Sequence, residues 1–380
     1  MKYYIIAGEA SGDLHGAGLI RGLYAEDKEC EVRFFGGDLM RAAGGTMVRN
    51  YRETAVMGFV EVLGSIGRIA RSLRACKADI LSWRPDAVIL VDYPGFNLKI
   101  ARFAHRHGFK VFYYIAPKVW ARGEGRIRQL KKYVDMLYII FPFEIEYFRK
   151  KGVEARYYGN PLADVISAAR MKQEEPSAPP TIALLPGSRR AELKFLMPRI
   201  VKLERLLSED RRFDGFRLVV AGAPSMKPEN YAKWLPPTSR IEVVFGRTYS
   251  LLRQSAAAVV CSGTASLEAA LIGTPQVVCY GFNRITYLIA RLLVRGIKYI
   301  SLANLILDKP IFKELIQKNA SPEEIYSELC TLVFDNRRIS EMKDDYRKLN
   351  EIMGGGDVSR KIAKDIHNEI TLLQISGSRQ

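Results

Sequence analysis

The chain has 380 residues, of which 48% are hydrophobic and 10% aromatic, which excludes an intrinsically disordered protein and predicts two folded domains. It carries 58 Lys and Arg against 41 Asp and Glu, a net charge of +17, so charge favours nucleic acid, anionic lipid surfaces or phosphorylated substrates as partners. The five cysteines and four histidines show no metal-ligand spacing. No apolar run reaches the roughly 18 residues of a membrane-spanning helix, so we expect a cytoplasmic protein.

The first half of the chain alternates short β-type runs with helical patterns, which is typical of a doubly wound parallel sheet. Several runs are nearly continuous in Val, Ile, Tyr and Phe, as buried parallel strands require. The predicted strands are Tyr3–Ala7, Glu31–Phe35, Ala87–Asp92, Lys110–Ile115, Met136–Phe141 and Ala155–Tyr158, with helices at Leu14–Tyr24, Ile66–Arg84 and Ile100–His107.

A polar, proline-rich segment at residues 173–180 predicts a linker, after which the alternation begins again. We therefore predict an α/β protein with two Rossmann-like domains that face a cleft. Residues 1–172 form the first domain, residues 181–345 the second, and residues 346–380 a helical tail. The strands predicted for the second domain are Thr181–Leu185, Phe216–Ala221, Ile241–Phe245, Ala258–Cys261 and Gln276–Tyr280.

Small-residue turns follow three of the predicted strands and lead into helical patterns, at Gly8–Asp13, Pro186–Glu192 and Ser262–Glu268. Backbone N–H groups at such turns can bind an anion such as a diphosphate. Glu268 could accept two hydrogen bonds from a ribose diol. The competing interpretation is that these are ordinary helix caps with solvated charges. The candidate donor-binding residues are Ser11, Gly187, Ser188, Arg189, Gly263, Thr264, Ser266 and Glu268.

Asp92 follows an apolar strand, at the edge of a parallel sheet where ligands bind. An aspartate in this place suits a general base, although it could also be the acid of an ordinary Asx turn. The sequence leaves four rival bases: Glu9, Asp13, His15 and Glu61.

Two further segments suit contact with acyl chains or a membrane, and each is also compatible with an ordinary core element. Val56–Leu63 is apolar between polar flanks, and its pattern alone favours a core strand or helix. Arg284–Lys298 would form a basic amphipathic helix. A third segment, Lys99–Lys151, has 13 Lys and Arg against four Asp and Glu, but no nucleic-acid-binding signature. The candidate acceptor and membrane residues are Met57, Phe59, Val60, Val62, Leu63, Arg291 and Arg295.

Taken in order, the motifs resemble the lipid-A-disaccharide synthases, inverting glycosyltransferases of the GT-B type in family 19. The resemblance runs from Gly8 to about Gln317. It rests on Gly8–Asp13, Val56–Leu63, Asp92 with Pro94, Phe96 and Asn97, Pro117–Ala121, Pro142–Glu144, Leu184–Glu192, Ser262–Glu268, Ser301–Leu305 and Lys313–Leu315.

The resemblance implies transfer of 2,3-diacylglucosamine from its UDP derivative to 2,3-diacylglucosamine 1-phosphate, which yields a β(1→6) tetraacyl disaccharide 1-phosphate and UDP. It implies that Asp92 is the base on the acceptor 6-hydroxyl, and that Ser11, Arg189, Glu268 and Asn304 lie in the UDP-sugar site. It also implies work at the inner face of the cytoplasmic membrane, a possible homodimer through a swapped C-terminal segment, and no nucleic-acid partner. We expect no cofactor and no metal, because the turns and arginines supply the charge that a diphosphate needs.

Three alternatives remain open. The first is a UDP-N-acetylglucosamine 2-epimerase of the same architecture, which needs no acyl site. The second is another membrane glycosyltransferase, such as one that adds N-acetylglucosamine to an undecaprenyl carrier. The third is a non-catalytic basic protein that binds RNA or membranes, for which we would expect steep salt dependence and no specific UDP binding.

Overall fold

The computed structural model describes residues 1–53, 62–119, 124–170, 179–261, 263–281, 298–354 and 356–377; the side chains of residues 62–66, 124, 168–170 and 376–377 are not described. Its chain divides into two compact units. Unit 1 contains Met1–Pro161 together with Gly354–Gln380, and unit 2 contains Leu162–Met353.

Unit 1 is built on a seven-stranded parallel sheet in the order β3-β2-β1-β4-β5-β6-β7. The central strands β1 and β4 are apolar apart from Lys2 at the start of β1, because helices cover both faces of the sheet. The strands are β1 (Lys2–Ala7), β2 (Glu31–Gly36), β3 (Thr46–Asn50), β4 (Ala87–Val91), β5 (Lys110–Tyr114), β6 (Met136–Ile139) and β7 (Ala155–Tyr157).

Alternate residues of β1 define the two faces of this sheet. Tyr3, Ile5 and Ala7 pack in a core with α1 (Ala10–Glu26) and the last helix of the chain. Tyr4 and Ile6 pack in the opposite core, which we call the α3–α6 side after its helices. The remaining helices described within the first 161 residues are α2 (Asp38–Ala43), α3 (Val62–Trp83), α4 (Pro94–Arg106), α5 (Ile127–Tyr133) and α6 (Phe143–Lys150).

Unit 2 is built on a six-stranded parallel sheet in the order β10-β9-β8-β11-β12-β13. Its strands are β8 (Thr181–Leu185), β9 (Arg217–Gly222), β10 (Glu242–Phe245), β11 (Ser255–Cys261), β12 (Gln276–Tyr280) and β13 (Glu314–Ile316). The helices that the structure describes there are α7 (Pro161–Arg170), α8 (Arg190–Ser208), α9 (Glu229–Ala232), α10 (Thr248–Gln254), α11 (Thr264–Ile272), α12 (Leu302–Leu307), α13 (Pro322–Phe334) and α14 (Asn336–Met353).

The predicted domain boundaries do not coincide with this division. The break falls at Pro161 instead of at residue 172, and α14 runs through the predicted boundary at 345/346 without interruption. Tyr346, Leu349 and Met353 on α14 are buried, so this part of the predicted tail is core of unit 2.

The last helix, α15 (Val358–Gly377), belongs to unit 1, where it packs along α1. Asp365 on α15 accepts hydrogen bonds from Tyr138 Oη at 2.7 Å and Tyr158 Oη at 2.9 Å, and it pairs with Arg156 at 2.7 Å. The end of the predicted tail is therefore an integral layer of the first unit. Among the helices of the described residues, none has both the length and the apolar character needed to cross a membrane.

Candidate active site

The chain reverses its winding direction between β1 and β4 of unit 1. These two parallel strands are neighbours, with Ala7 aligned to Val91, yet the helices that follow them cover opposite faces of the sheet. Ligands of doubly wound proteins bind outside the carboxyl ends of the strands at such a switch point. The Gly8 turn follows β1 and Asp92 follows β4, so the structure brings these two predicted features together.

Asp92 and Tyr93 both adopt left-handed backbone conformations, with φ of +46° and +48°. Two consecutive residues other than glycine in this region store backbone strain, which surrounding contacts must hold in place. The Asp92 N–H donates to the Tyr114 carbonyl at 3.0 Å, and the Asp92 carbonyl accepts from Tyr113 Oη at 2.7 Å. The backbone of the predicted base is therefore fixed by the neighbouring strand β5.

Asn97 adds a second support for this turn. Its side chain is buried, and Nδ2 donates to the Asp92 carbonyl at 2.7 Å, the Val91 carbonyl at 3.1 Å and the Ile6 carbonyl at 3.4 Å. One amide on the first turns of α4 thus joins the ends of β1 and β4 at the residue that carries the candidate base.

Burial raises the pKa of the Asp92 carboxyl above its ordinary value, and the positive charge of Lys118 acts in the opposite direction. The pKa of Glu9 is raised first by burial and then by the negative charge of Asp92. The two carboxyls therefore share one electrostatic environment. A carboxylate with a raised pKa is a better proton acceptor than an ordinary aspartate, which suits the predicted role of Asp92.

Gly8 is required because the ring of Tyr93 packs against its Cα; a Cβ at this position would lie 2.1 Å from Tyr93 Cδ1. A small, largely apolar pocket opens beside the two residues at the carboxyl ends of β1, β2 and β3. It is lined by Ile6, Ala7, Gly8, Phe35, Arg49, Asn50, Tyr51, Tyr93 and Phe96.

The structure separates the rival bases that the sequence left open. Asp13 is buried and accepts from the N–H groups of Gly37, Leu39 and Met40 at 2.8, 3.1 and 3.0 Å, so it caps α2. Burial lowers the pKa of His15 to about 4. Glu9 remains beside Asp92, and Glu61 lies outside the described residues.

The helix α1 begins at Ala10 with Glu9 as its N-cap, so Ser11 does not occupy the cap position. Ser11 is therefore the second residue of the helix, and its side chain is exposed at the same edge as Asp92. Its exposed position at the switch point keeps Ser11 a candidate for contact with a ligand.

Unit 2 has its own switch point, between the neighbouring strands β8 and β11. The Gly187 turn follows β8 and the Gly263 turn follows β11, so the two predicted anion-binding turns of this unit lie at one edge of its sheet. Their common position is the arrangement that nucleotide-binding sheets use.

The Gly187 turn is closed by an acid that the sequence analysis did not single out. Glu192 Oε2 accepts from the N–H groups of Ser188 at 2.8 Å and Arg189 at 3.1 Å, and Oε1 pairs with the Arg189 guanidinium at 3.1 Å. Gly187 has φ of +105°, and a Cβ there would lie 2.6 Å from Glu192 Cβ. The Glu192 carboxylate thus takes two N–H donors predicted for the diphosphate, whereas the Arg189 side chain is 79% exposed.

At the Gly263 turn, the backbone of Gly263 has φ of +145° and Thr264 begins α11. Both residues are exposed. The Ser266 hydroxyl is buried and donates to the Gly263 carbonyl at 2.8 Å, so this side chain stabilises the turn from inside.

Glu268 is largely withdrawn from water instead of being solvated. Its Oε1 accepts from Tyr249 Oη at 2.9 Å, and burial raises the pKa of its carboxyl while the tyrosine hydrogen bond lowers it. Oriented by Tyr249 on α10, the carboxylate keeps acceptor capacity for a hydroxyl-bearing ligand.

Asn304 occupies a different setting from the other donor candidates. Its side chain is buried, Nδ2 donates to the Phe312 carbonyl and to Glu314 Oε1, each at 3.0 Å, and Oδ1 accepts from the Ile311 N–H at 2.9 Å and the Phe312 N–H at 3.4 Å. All four hydrogen-bonding positions of the amide are used within unit 2, so Asn304 joins α12 to the segment that leads into β13.

The seven acceptor and membrane candidates lie where the structure describes no side chains. Met57, Phe59, Val60, Arg291 and Arg295 lie outside the described residues. Val62 and Leu63 begin α3, but their side chains are not described. Among the side chains that the structure does describe, no group of three or more His, Cys, Asp and Glu residues could hold a metal ion.

Three interactions at the candidate sites were not predicted from the sequence: the Tyr249 hydrogen bond to Glu268, the effect of the Lys118 charge on Asp92, and the Glu192 hydrogen bonds to the Gly187 turn. Only the last had a local signal, the spacing of three residues between a cap residue and a following glutamate. The other two join residues that are distant in sequence.

Solved structures share this fold over nearly the whole chain. A putative UDP-N-acetylglucosamine 2-epimerase from Listeria monocytogenes has a TM-score of 0.68 at 17% identity, covering 97% of this chain and 96% of that one. A glycosyltransferase of kitacinnamycin has a TM-score of 0.62 at 16% identity, covering 97% and 98%. These likenesses confirm the predicted fold class, an α/β architecture of two Rossmann-like domains.

Relatives with similar sequences identify the family within this fold class. The family profile described as lipid-A-disaccharide synthetase matches residues 3–367. Lipid-A-disaccharide synthases of Trichlorobacter lovleyi and Syntrophus aciditrophicus are 36% and 37% identical, covering 95% and 92% of this chain and 96% and 93% of their own. The chain belongs to the lipid-A-disaccharide synthase family, and it is a glycosyltransferase enzyme. The epimerase alternative has the same fold but is not favoured.

Proposed function

We propose that the enzyme transfers 2,3-diacylglucosamine from UDP-2,3-diacylglucosamine to the 6-hydroxyl of 2,3-diacylglucosamine 1-phosphate. The new bond is a β(1→6) glycosidic bond, and UDP leaves from the anomeric carbon. Membership of the family and the two separate switch-point sites support this assignment.

The observation that carries the proposal is Asp92, which is held at the carboxyl end of β4 with a carboxyl of raised pKa. Its carboxylate takes the proton of the acceptor hydroxyl as that oxygen attacks the anomeric carbon. The attack passes through an oxocarbenium-like transition state, as in glycoside hydrolysis, and inverts the anomeric configuration. The apolar pocket beside Gly8 and Tyr93 suits the acceptor.

Unit 2 holds the donor in this proposal. Glu268, oriented by Tyr249, accepts hydrogen bonds from the ribose hydroxyls. The exposed Arg189 side chain and the Gly263–Thr264 backbone stabilise the departing diphosphate electrostatically. Asn304 acts by fixing the segment before β13. Ser11, exposed at the switch point of unit 1, is proposed as a ligand contact. No metal ion is required, because cationic and N–H donors meet the charge of the leaving group.

Product analysis in the presence of EDTA tests this reaction. With both lipid substrates, the expected product is a tetraacyl disaccharide 1-phosphate, identified by mass, with a β-anomeric signal in the proton NMR spectrum. Absence of this product, together with conversion of UDP-N-acetylglucosamine to its 2-epimer, would overturn the proposal. If the disaccharide forms only after a divalent cation is added back to the assay, the reaction stands and only the proposal that no metal ion is required is overturned.

The role of Asp92 predicts a pH dependence with a definite sign. Because the pKa of Asp92 is raised, its carboxylate is lost as pH falls through that raised value, so the transfer rate should decline on the acid side. The midpoint of the decline should lie above about 3.9, the ordinary aspartate pKa. A profile of kcat/KM for the acceptor against pH checks this, and a rate that stays flat down to about pH 3.9 would contradict it.

Asn97 is proposed as a positioning residue for this base. In Asn97→Leu the Asp92 carbonyl keeps only the Tyr113 hydrogen bond, so kcat should fall by about 10-fold or more while KM for the donor is unchanged. The acid midpoint of the pH profile should shift as well, which loss of folding alone would not produce. Tyr113→Phe removes one hydrogen bond from the same carbonyl and is the matched variant, with a smaller expected loss. An unchanged kcat in Asn97→Leu would contradict the positioning role.

A further inference from the structure

One charged side chain lies in the small pocket at the carboxyl ends of β1, β2 and β3. Of the described residues that line this pocket, Arg49 alone carries a charge, and most of the others are apolar or aromatic, such as Phe35 and Phe96. Tyr93 also lines it, so the pocket adjoins Asp92, the proposed general base. A cation in an apolar pocket beside a reacting group suits an anionic part of the substrate.

A shift in strand register places Arg49 on the pocket side of the sheet. Along β2 and β3, Met47 is aligned with Phe34 and Arg49 with Phe35, which leaves Val48 as an extra residue between the two pairs. Because side chains alternate along a strand, Arg49 would lie on the opposite face without this extra residue. Phe35 belongs to the core on the α3–α6 side, and Arg49 shares that face. Irregularities of this kind at sheet edges re-aim side chains beside active sites.

The Arg49 guanidinium is held by two contacts and keeps further donors. Its Nη1 donates to Ser72 Oγ of α3 at 2.8 Å, and its Nε lies 3.6 Å from a carboxylate oxygen of Glu53. The second contact exceeds hydrogen-bond length, and the Glu53 side chain is 59% exposed, so this ion pair contributes little. A guanidinium has five N–H donors, and the hydrogen bonds of Arg49 within the described residues engage one of them. Although its side chain is only 27% exposed, Arg49 therefore has donors for a ligand.

The neighbouring cations are paired away from this pocket. Arg52 and Arg41 both pair with Asp38, at 2.8 and 2.9 Å. Neither of them is among the described residues that line the pocket. At this edge of unit 1, Arg49 is therefore the described cation that is placed to meet a ligand beside the switch point.

We propose that Arg49 binds the 1-phosphate of the acceptor and so selects a phosphorylated acceptor. This inference rests on the proposed function, because it takes the acceptor to be 2,3-diacylglucosamine 1-phosphate with its 6-hydroxyl at Asp92. The 6-hydroxyl and the 1-phosphate belong to one sugar ring, so the groups that bind them must lie within the length of a sugar. The pocket meets this requirement, since Tyr93 and Arg49 both line it. Two N–H donors of a guanidinium match two phosphate oxygens in a bidentate contact.

The pocket discriminates because an acceptor without the phosphate excludes water and leaves the cation unpaired. The Arg49 side chain is largely buried, and a buried charge without a partner costs free energy. A site built to hydrogen-bond one group of a substrate therefore rejects the analogue that lacks that group. The diphosphate of the donor is assigned to the turns of unit 2, so the two phosphate-bearing substrates meet different sheets.

The test is calorimetric titration of the full chain, in neutral detergent, with 2,3-diacylglucosamine 1-phosphate and with the same lipid lacking its phosphate. The wild type should bind the phosphorylated lipid about 10- to 100-fold more tightly, the usual contribution of a charged hydrogen bond. Arg49→Gln should lose this preference and bind both lipids as the wild type binds the unphosphorylated one. Arg49→Lys keeps the charge without the planar fork and should show an intermediate preference, which tests the contact even if the glutamine variant fails to fold.

Glu53→Gln is the matched control, because it breaks the ion pair with Arg49 and leaves the guanidinium in place. It should keep the preference for the phosphorylated lipid, whereas a purely structural ion pair predicts the same loss in both variants. Equal affinity of the wild type for the two lipids would overturn the proposal. Equal weakening of both lipids in Arg49→Gln, or the same loss of preference in Glu53→Gln, would also overturn it.

Disaccharide formation separates this inference from the proposed function. Phosphate-dependent binding that is lost in Arg49→Gln supports the contact, and if the wild type then forms no disaccharide, only the proposed function fails. Disaccharide formation with equal kcat/KM for the phosphorylated and unphosphorylated acceptors would sustain the transferase and overturn the role of Arg49.

Discussion

Asp92→Asn is expected to lower the rate of glycosyl transfer by about 10²- to 10⁴-fold, the usual contribution of a general base. The amide has nearly the shape of the carboxylate but cannot accept the proton of the acceptor hydroxyl. Because the backbone contacts of Asp92 to Tyr113, Tyr114 and Asn97 do not involve its side chain, the turn should keep its conformation. Initial rates at saturating donor and acceptor measure the loss, and UDP affinity should be unchanged.

Glu9→Gln is the matched control for this prediction. It makes the same change of carboxylate to amide on the neighbouring strand end, in the same electrostatic environment. We expect a much smaller loss of rate, because Asp92, and not Glu9, lies within the supported turn. A larger loss in Glu9→Gln than in Asp92→Asn would assign the base to Glu9.

Asp13→Ala is expected to destabilise unit 1 by about 3 kcal/mol or more. The buried carboxylate accepts three backbone N–H groups at the start of α2, and its removal leaves the donors of Gly37 and Met40 buried without that acceptor. The drop in the midpoint of thermal unfolding, followed by circular dichroism, measures the effect. Asp13→Asn keeps one carbonyl oxygen at the site and should fall between the wild type and the alanine variant.

Asp38→Ala provides the matched control on the same helix. Asp38 is the first residue of α2 and pairs at the surface with Arg41 at 2.9 Å and Arg52 at 2.8 Å. Exposed pairs of this kind contribute at most about 1 kcal/mol. Equal destabilisation by Asp13→Ala and Asp38→Ala would contradict the capping role of Asp13, and so would catalytic loss in Asp13→Ala at full stability.

Sequence alone predicted the apolar strands of both sheets, because buried parallel strands are continuous runs of Val, Ile and aromatic residues. It missed β3 and β13. The strand β3 lies at the edge of its sheet and contains Arg49 and Asn50, and β13 has only three residues. Short or polar edge strands lack the apolar signal on which the prediction depends.

The sequence predicted which strand end each candidate residue follows. It did not predict the residues that their side chains contact. Asp92, Gly187 and Gly263 lie at the switch points because the alternation of strands and helices places them there. The capping role of Asp13 depends on N–H groups 24 to 27 residues away, and the Asn97 contact with Ile6 spans 91 residues. Contacts of this range are set by the fold and leave no local pattern.

Release of UDP from UDP-2,3-diacylglucosamine, measured with and without 2,3-diacylglucosamine 1-phosphate, tests the central claim most directly. A transferase that activates the acceptor hydroxyl through Asp92 should release UDP only when the acceptor is present, in equal amount to the disaccharide formed. Equal release without the acceptor, or no release from the diacyl donor at all, would contradict the account.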